Sequence, residues 1–111
     1  MKRENRLTRS ADIKRVRRQG KTTADPFLLL VALPNGQKGL RIAVAAGRSI
    51  GGAVQRNRAK RVLRAAIQPL TTMIKPDMDI LLLARPGMRP AKSSEVQHIL
   101  QSLLKRANLL K

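Results

Sequence analysis

"LRIAVAAGRSIGGAVQRNRAKRVLR", Leu40 to Arg64, decides how this chain folds. Its first residues alternate, with Leu40, Ile42 and Val44 on one side and Arg41, Ala43 and Ala45 on the other, the period of a β-strand. Gly47, Gly51 and Gly52 then punctuate a turn. Beyond it, Ala59, Val62, Leu63, Ala66, Ile67 and Leu70 fall at i, i+3, i+4, i+7, i+8 and i+11, an apolar stripe with the helical period. At 100° per residue, Arg56, Asn57, Lys60, Arg61 and Arg64 cover an arc of about 140° on the other side, with Arg58 flanking it. The helix is half core and half cation. From Gly47 to Arg64 there are six basic residues and no acid.

Working outward, "PFLLLVAL" (Pro26–Leu33) reads as a strand apolar at nearly every position, and therefore covered on both faces. Asn35-Gly36 supplies a turn, so this strand and the one from Leu40 are expected to pair as a hairpin. "ILLLA" (Ile80–Ala84) is a further buried strand, and residues 85–93 form a proline-rich loop. Ser10 is a candidate cap for a first helix, with Asp12 in its first turn, Ile13 and Val16 on one face and Gly20 as the stop. Ser94 and Gln97 fit a capping box for a last helix, whose buried face is Val96, Ile99, Leu100, Leu103, Leu104 and Ala107. A short extra strand fits Lys21 to Ala24. The expected fold is α+β, a two-layer α/β sandwich in the order α-β-β-(β)-α-β-α. Strand, helix and strand from Leu40 to Ala84 make a crossover, right-handed by default if its strands are parallel neighbours.

With 111 residues the chain has room for one core, read as a single RNA-binding domain over 1–111 with residues 1–9 as a flexible basic arm. Its 24 Lys+Arg against 6 Asp+Glu give a net charge of +18, self-repulsion that a polyanion would relieve. Nine of the basic residues lie in the first 21 positions. One-signed blocks of this kind read as an electrostatic footprint for nucleic acid. No cysteine is present for disulfides or thiolate zinc sites, and no apolar run approaches the ~20 residues of a membrane span. A cytoplasmic protein without a membrane partner is expected.

Catalytic chemistry is sparse. Gly47 and Gly52 have Walker spacing, but Ala53-Val54 stands where lysine and a hydroxyl residue are needed. His98 is the one histidine, so a two-imidazole nuclease has no second member. Asp77 and Asp79 could form a two-carboxylate metal site, yet they read better as turn residues entering the strand at Ile80. With no Tyr or Trp and only Phe27, base stacking on aromatics is scarce, and Phe27 itself reads as core. Contacts with RNA would rest on phosphate neutralisation, arginine stacking and shape.

"RNRAKRVLR", Arg56 to Arg64, resembles the arginine-asparagine-arginine signature of the protein subunit of bacterial ribonuclease P. The likeness runs from "NRL" (Asn5–Leu7) and "ADIKRVRRQG", through the strand, "IGGAV" and the signature, to "DILLLAR" (Asp79–Arg85) and the last helix. The resemblance implies a fold similar to a domain of a small-subunit ribosomal protein, with a left-handed crossover that includes the signature helix. It implies a protein that binds a catalytic RNA, the RNA with Mg²⁺ removing the 5′ leader of precursor tRNA and the protein supplying no catalytic residue. Carried onto this chain, Arg48, Arg56, Asn57, Arg58, Lys60, Arg61 and Arg64 would contact the catalytic RNA. A cleft between the first helix and the sheet, lined by Ile13, Arg17, Phe27 and Leu30, would hold the leader. This chain departs from the family at Ile13, Arg17 and Leu30, where aromatics are common, at Gly52, where asparagine is common, and at Ser49, where a second basic residue is. The competing readings are a non-catalytic ribosomal-type RNA-binding protein and a protein-only nuclease using Asp77 and Asp79. A DNA binder is the weakest, since the basic helix lacks a dimerisation zipper.

Overall fold

The computed structural model describes residues 5–88 and 92–111. In chain order these form α1 (Ser10–Gln19), β1 (Lys21–Ala24), β2 (Leu28–Pro34), β3 (Arg41–Ala46), α2 (Ala53–Ile67), β4 (Met78–Ala84) and α3 (Ser93–Arg106). The strands make one sheet in the order β1-β2-β4-β3, antiparallel except for the parallel pair β3 and β4.

The expected β2–β3 hairpin does not form, because β4 lies between the two strands. The turn residues are spent on the entry to β4. Asn35 donates its N–H to the Asp77 carbonyl (3.0 Å) and its side-chain amide to Asp79 Oδ1 (2.8 Å), while Gly39 donates to Asp77 Oδ1 (2.9 Å). Gly36 and Gly39 take φ of 80° and 74°, the left-handed backbone that lets the chain hop across the end of β4. The hairpin that does form joins β1 and β2, with Thr22 opposite Val31.

Residue stereochemistry fixes the hand of the β3-α2-β4 crossover. An L-residue whose side chain faces the viewer, on a strand running upward, points its own N–H and C=O to the right. Ile42 faces the α2/α3 layer, and its carbonyl accepts from the Leu7 N–H (2.8 Å) on the outer edge of β3. Seen from that layer, the outer edge lies to the right and β4 to the left of β3. The chain rises through β3, passes in front through α2 and re-enters one place to the left, a left-handed crossover. The default expectation is overturned, and the hand implied by the resemblance holds.

Two cores sandwich the sheet. Alternate residues Leu28, Leu30, Ile42, Ile80 and Leu82 pack under Ala59, Leu63, Ala66 and Ile67 of α2 and Val96, Leu100, Leu103 and Leu104 of α3. On the opposite face, Val31, Ala43 and Leu81 close over Val16 of α1 and Leu7. The all-apolar β2 is therefore buried from both sides, as its composition indicates. Residues 1–4 of the expected basic arm lie outside the described residues, but Leu7 is buried and Arg6 bridges Ile42, so the rest of that segment is docked.

Both helix starts differ from expectation. Ser10 is already helical and Arg9 occupies the cap position, while α3 begins at Ser93 with Lys92 at the cap, its N–H 3.5 Å from Glu95 Oε1. Gly20 does end α1, through close approach and not through a left-handed turn. Its φ is −73°, and a Cβ there would lie 2.5 Å from the Val16 carbonyl oxygen and 2.7 Å from Val31 Cγ1. Gly20→Ala is expected to cost about 1–3 kcal/mol by overpacking the α1–β2 contact, read from the urea midpoint. An unchanged midpoint would mean that α1 shifts freely.

Candidate nucleic-acid interface

The side of α2 away from the core carries the basic residues. Its polar face opens into a groove of about 460 Å³ lined by Val54, Asn57, Lys60, Arg61 and Arg64. No acid lines it. Helix propensity does not account for this charge: Arg56 and Arg58 sit near the positive end of the helix dipole, where cations typically cost 0.3–1 kcal/mol each, and the first turn holds no acid. Val54, 75% exposed at the mouth of the groove, adds an apolar contact that charge patterning did not reveal. Of the residues carried over from the signature, Asn57, Lys60, Arg61 and Arg64 share this groove. Arg48 is exposed on the short turn before α2, Arg56 is half-buried, and Arg58 is exposed outside the groove lining.

On the α1 side of the sheet, the four residues expected to line a cleft do not come together. Ile13 packs against the smaller core and Arg17 is exposed on α1 beside Lys14 and Arg18. Leu30 is fully buried under α2 and α3, and Phe27 packs against that same core. The reason is a register of one residue: in β2 the α1-facing positions are Leu29, Val31 and Leu33, not Leu30. Leu29 pairs with Leu83, which pairs with Ala45, and all three are half-buried in one row across β2, β4 and β3. That row is the apolar floor available to a ligand beside α1.

A buried ionic cluster holds α1 to this sheet. The Asp79 side chain is fully buried and accepts Arg41 Nε (2.8 Å) on Oδ1 and Arg41 Nη2 (2.7 Å) on Oδ2, with the Asn35 amide also on Oδ1. Arg15 of α1 reaches Asp79 at 3.8 Å and binds Asp12 at 2.8 Å, and Arg41 lies 3.6 Å from Asp12. Burial pushes the Asp79 carboxyl up, but hydrogen bonds from Arg41 and Asn35 and the charges of Arg41 and Arg15 outweigh it and hold the group below the usual carboxylate range. The Asp79 hydrogen bond raises the Arg41 guanidinium further, against partial desolvation.

This geometry decides the metal question for Asp77 and Asp79. One is occupied by two guanidiniums and an amide, the other by the Gly39 N–H, and among the described residues no three His, Asp or Glu side chains gather. Asp77 and Asp79 do not fit a Mg²⁺ site; Asp77 does sit in the turn before β4, whereas Asp79 lies inside β4 with its side chain buried, which corrects its reading as a turn residue. Among the described residues, no helix is long and apolar enough to cross a membrane.

Known proteins share this architecture and sequence. The family model for ribonuclease P matches residues 1–108. The ribonuclease P protein component of Dehalococcoides mccartyi strain CBDB1 is 36% identical over 110 residues, covering 99% of this chain and 90% of that protein. That of Chloroflexus aggregans is 39% identical over 111 residues, covering 99% and 82%. The Staphylococcus aureus RNase P protein superposes with a TM-score of 0.82 at 24% identity over 96% of this chain and 98% of its own, a likeness of fold. The Thermotoga maritima RNase P protein, solved with 1-(4-fluorophenyl)-2-thiourea, gives 0.80 at 25% identity over 91% and 98%. With the family model and full-length relatives in agreement, the chain belongs to the ribonuclease P protein family.

Proposed function

We propose that this protein is the subunit of ribonuclease P that binds the catalytic RNA and the 5′ leader of precursor tRNA, promoting endonucleolytic release of the leader. The observation that carries the reading is the α2 groove, four polar and cationic side chains on a rigid helix with no acid among them. Asn57 can donate and accept, while Lys60, Arg61 and Arg64 neutralise phosphates and arginine planes can stack on bases. The row Leu29, Leu83 and Ala45, on the sheet face that α1 covers, is suited to a single strand lying against that face, with Arg17 exposed on α1 as a further cation. In this reading hydrolysis belongs to the RNA and its Mg²⁺, and among the described residues the carboxylates of Asp12, Asp25, Asp77, Asp79 and Glu95 are each engaged in contacts within the fold. The protein lowers repulsion between two polyanions that must approach.

The test is cleavage of precursor tRNA at limiting Mg²⁺ with catalytic RNA alone, protein alone, and both. Mature 5′ ends from the mixture alone are the expected result, and cleavage by the protein alone would relocate the chemistry to the chain. Arg61→Ala is expected to reduce cleavage more at limiting than at saturating Mg²⁺, because added cations replace the lost screening. Equal loss at both would sink the screening role.

A further inference from the structure

Beyond the α2 groove and the sheet face lies a third concavity, at the outer edge of β3. It has a volume of about 190 Å³ and is bounded by Arg6, Thr8, Ile13, Val44 and Arg64, with Leu7, Ile42 and Ala43 behind them. Among the described residues, the N-terminal segment pairs with β3 at one position only. Arg6 bridges Ile42, the Leu7 N–H donates to the Ile42 carbonyl, and the chain then turns onto the α1 face. β3 is the last strand of the sheet, so Val44, two residues beyond Ile42, points its N–H and C=O to the same outer edge. Among the described residues, no backbone partner meets them there.

The geometry points to a subsite for one unstacked RNA nucleotide. At about 30 Å³ per water the cavity has room for about six waters, the scale of one heterocyclic base and not of a base pair. Its walls are apolar at Leu7, Ile13 and Ile42, which suits the face of a ring. The adjacent N–H and C=O of Val44 offer a donor and an acceptor to a base edge, the kind of contact by which unpaired bases are read. Arg6 and Arg64 stand at the rim with no acid in the lining, so a phosphodiester on either side of the base meets positive charge. Arg64 also lines the α2 groove, which makes the subsite the place where a strand passes from α2 around the sheet edge toward α1.

This inference rests on the RNA-binding reading above and adds a nucleotide position to it. The full isotope-labelled chain is titrated with each of the four nucleoside 5′-monophosphates and, separately, with ribose 5-phosphate, following backbone amides. The expected result is a shift of the Val44 amide that depends on the base and is absent with ribose 5-phosphate. Thr8→Trp, which fills the mouth from an exposed position, is expected to weaken that response at least ten-fold. A Val44 amide unmoved by every nucleotide, moved equally by ribose 5-phosphate, or unaffected by Thr8→Trp overturns the subsite.

In the reconstituted holoenzyme, single 4-thiouridines are placed in the leader or in the catalytic RNA. A crosslink to the peptides spanning residues 6–13 or 40–48 supports the subsite and identifies the RNA that fills it. No crosslink in a holoenzyme that still cleaves at limiting Mg²⁺ removes the subsite and leaves the subunit reading standing. A mixture that gains no cleavage from the protein removes both.

Discussion

Replacing Asp79 by alanine is expected to destabilise the protein by about 3–5 kcal/mol, as much as truncating a fully buried leucine of the core. The magnitude follows from what remains behind. Asp79 is fully buried, and its removal leaves the Arg41 guanidinium partly buried without its bidentate partner and with only Asp12 at 3.6 Å, the Asn35 amide with the Gly39 carbonyl as its one remaining acceptor, and Arg15 with Asp12 alone. A small domain has 5–15 kcal/mol in total, so a substantial unfolded fraction is expected at physiological temperature. Replacing both members, Asp79→Leu with Arg41→Leu, should recover most of the loss, because no uncompensated charge is then buried. Urea unfolding of the single and double variants measures this. A single-variant cost under about 1 kcal/mol would mean that water reaches the cluster and solvates Arg41 in place of the carboxylate.

The same cluster makes stability depend on acid. The folded carboxyl lies below its unfolded value of about 3.9, so its contribution is fully present above that pH and is lost as pH falls through the lower folded value. Stability should therefore fall more steeply below pH 4 in the parent chain than in Asp79→Asn, which has no carboxyl to protonate at this position. Parallel acid-unfolding curves for the two would assign the acid sensitivity to other carboxyl groups.

None of this cluster was legible in the sequence, and the reason is distance along the chain. Asp79 follows a proline-containing turn, which reads as polar and exposed, while its partners Arg41 and Asn35 lie 38 and 44 residues away. Helices α2 and α3 were legible because a 3.6-residue stripe is a local property that survives any tertiary arrangement. The insertion of β4 between β2 and β3 was not, since an Asn-Gly turn carries the same signal whether its strands pair or straddle a third. The choice of Leu30 over Leu29 failed for a related reason. A strand buried on both faces has no alternation to mark which residues look toward α1, so one register step exchanges core for cleft. The basic groove was the most legible part, because Asn57, Lys60, Arg61 and Arg64 sit on one regular helix whose opposite face is fixed by the core.

That groove carries the largest expected effect on binding. Each phosphate neutralised by a basic side chain releases counterions and contributes about 0.7–0.9 to the slope of log affinity against log salt. Lys60→Ala, Arg61→Ala and Arg64→Ala combined should therefore flatten the slope for the catalytic RNA by about two to three. All three are partly or fully exposed on the face of α2 away from the core, so the fold should tolerate the change. Helix propensity also favours alanine at these sites. The control is Lys105→Ala, on the exposed side of α3, in the last turn of a helix whose other face is core. It removes one charge from the net +18 but none from the groove, so it should leave the slope within a few tenths of the parent. If the triple variant lost only as much slope per charge as Lys105→Ala, net charge and not the groove would be what RNA senses. A drop of two or more confined to the triple variant places the contacts on α2, where lost counterion release raises the RNA concentration needed for assembly most at high salt.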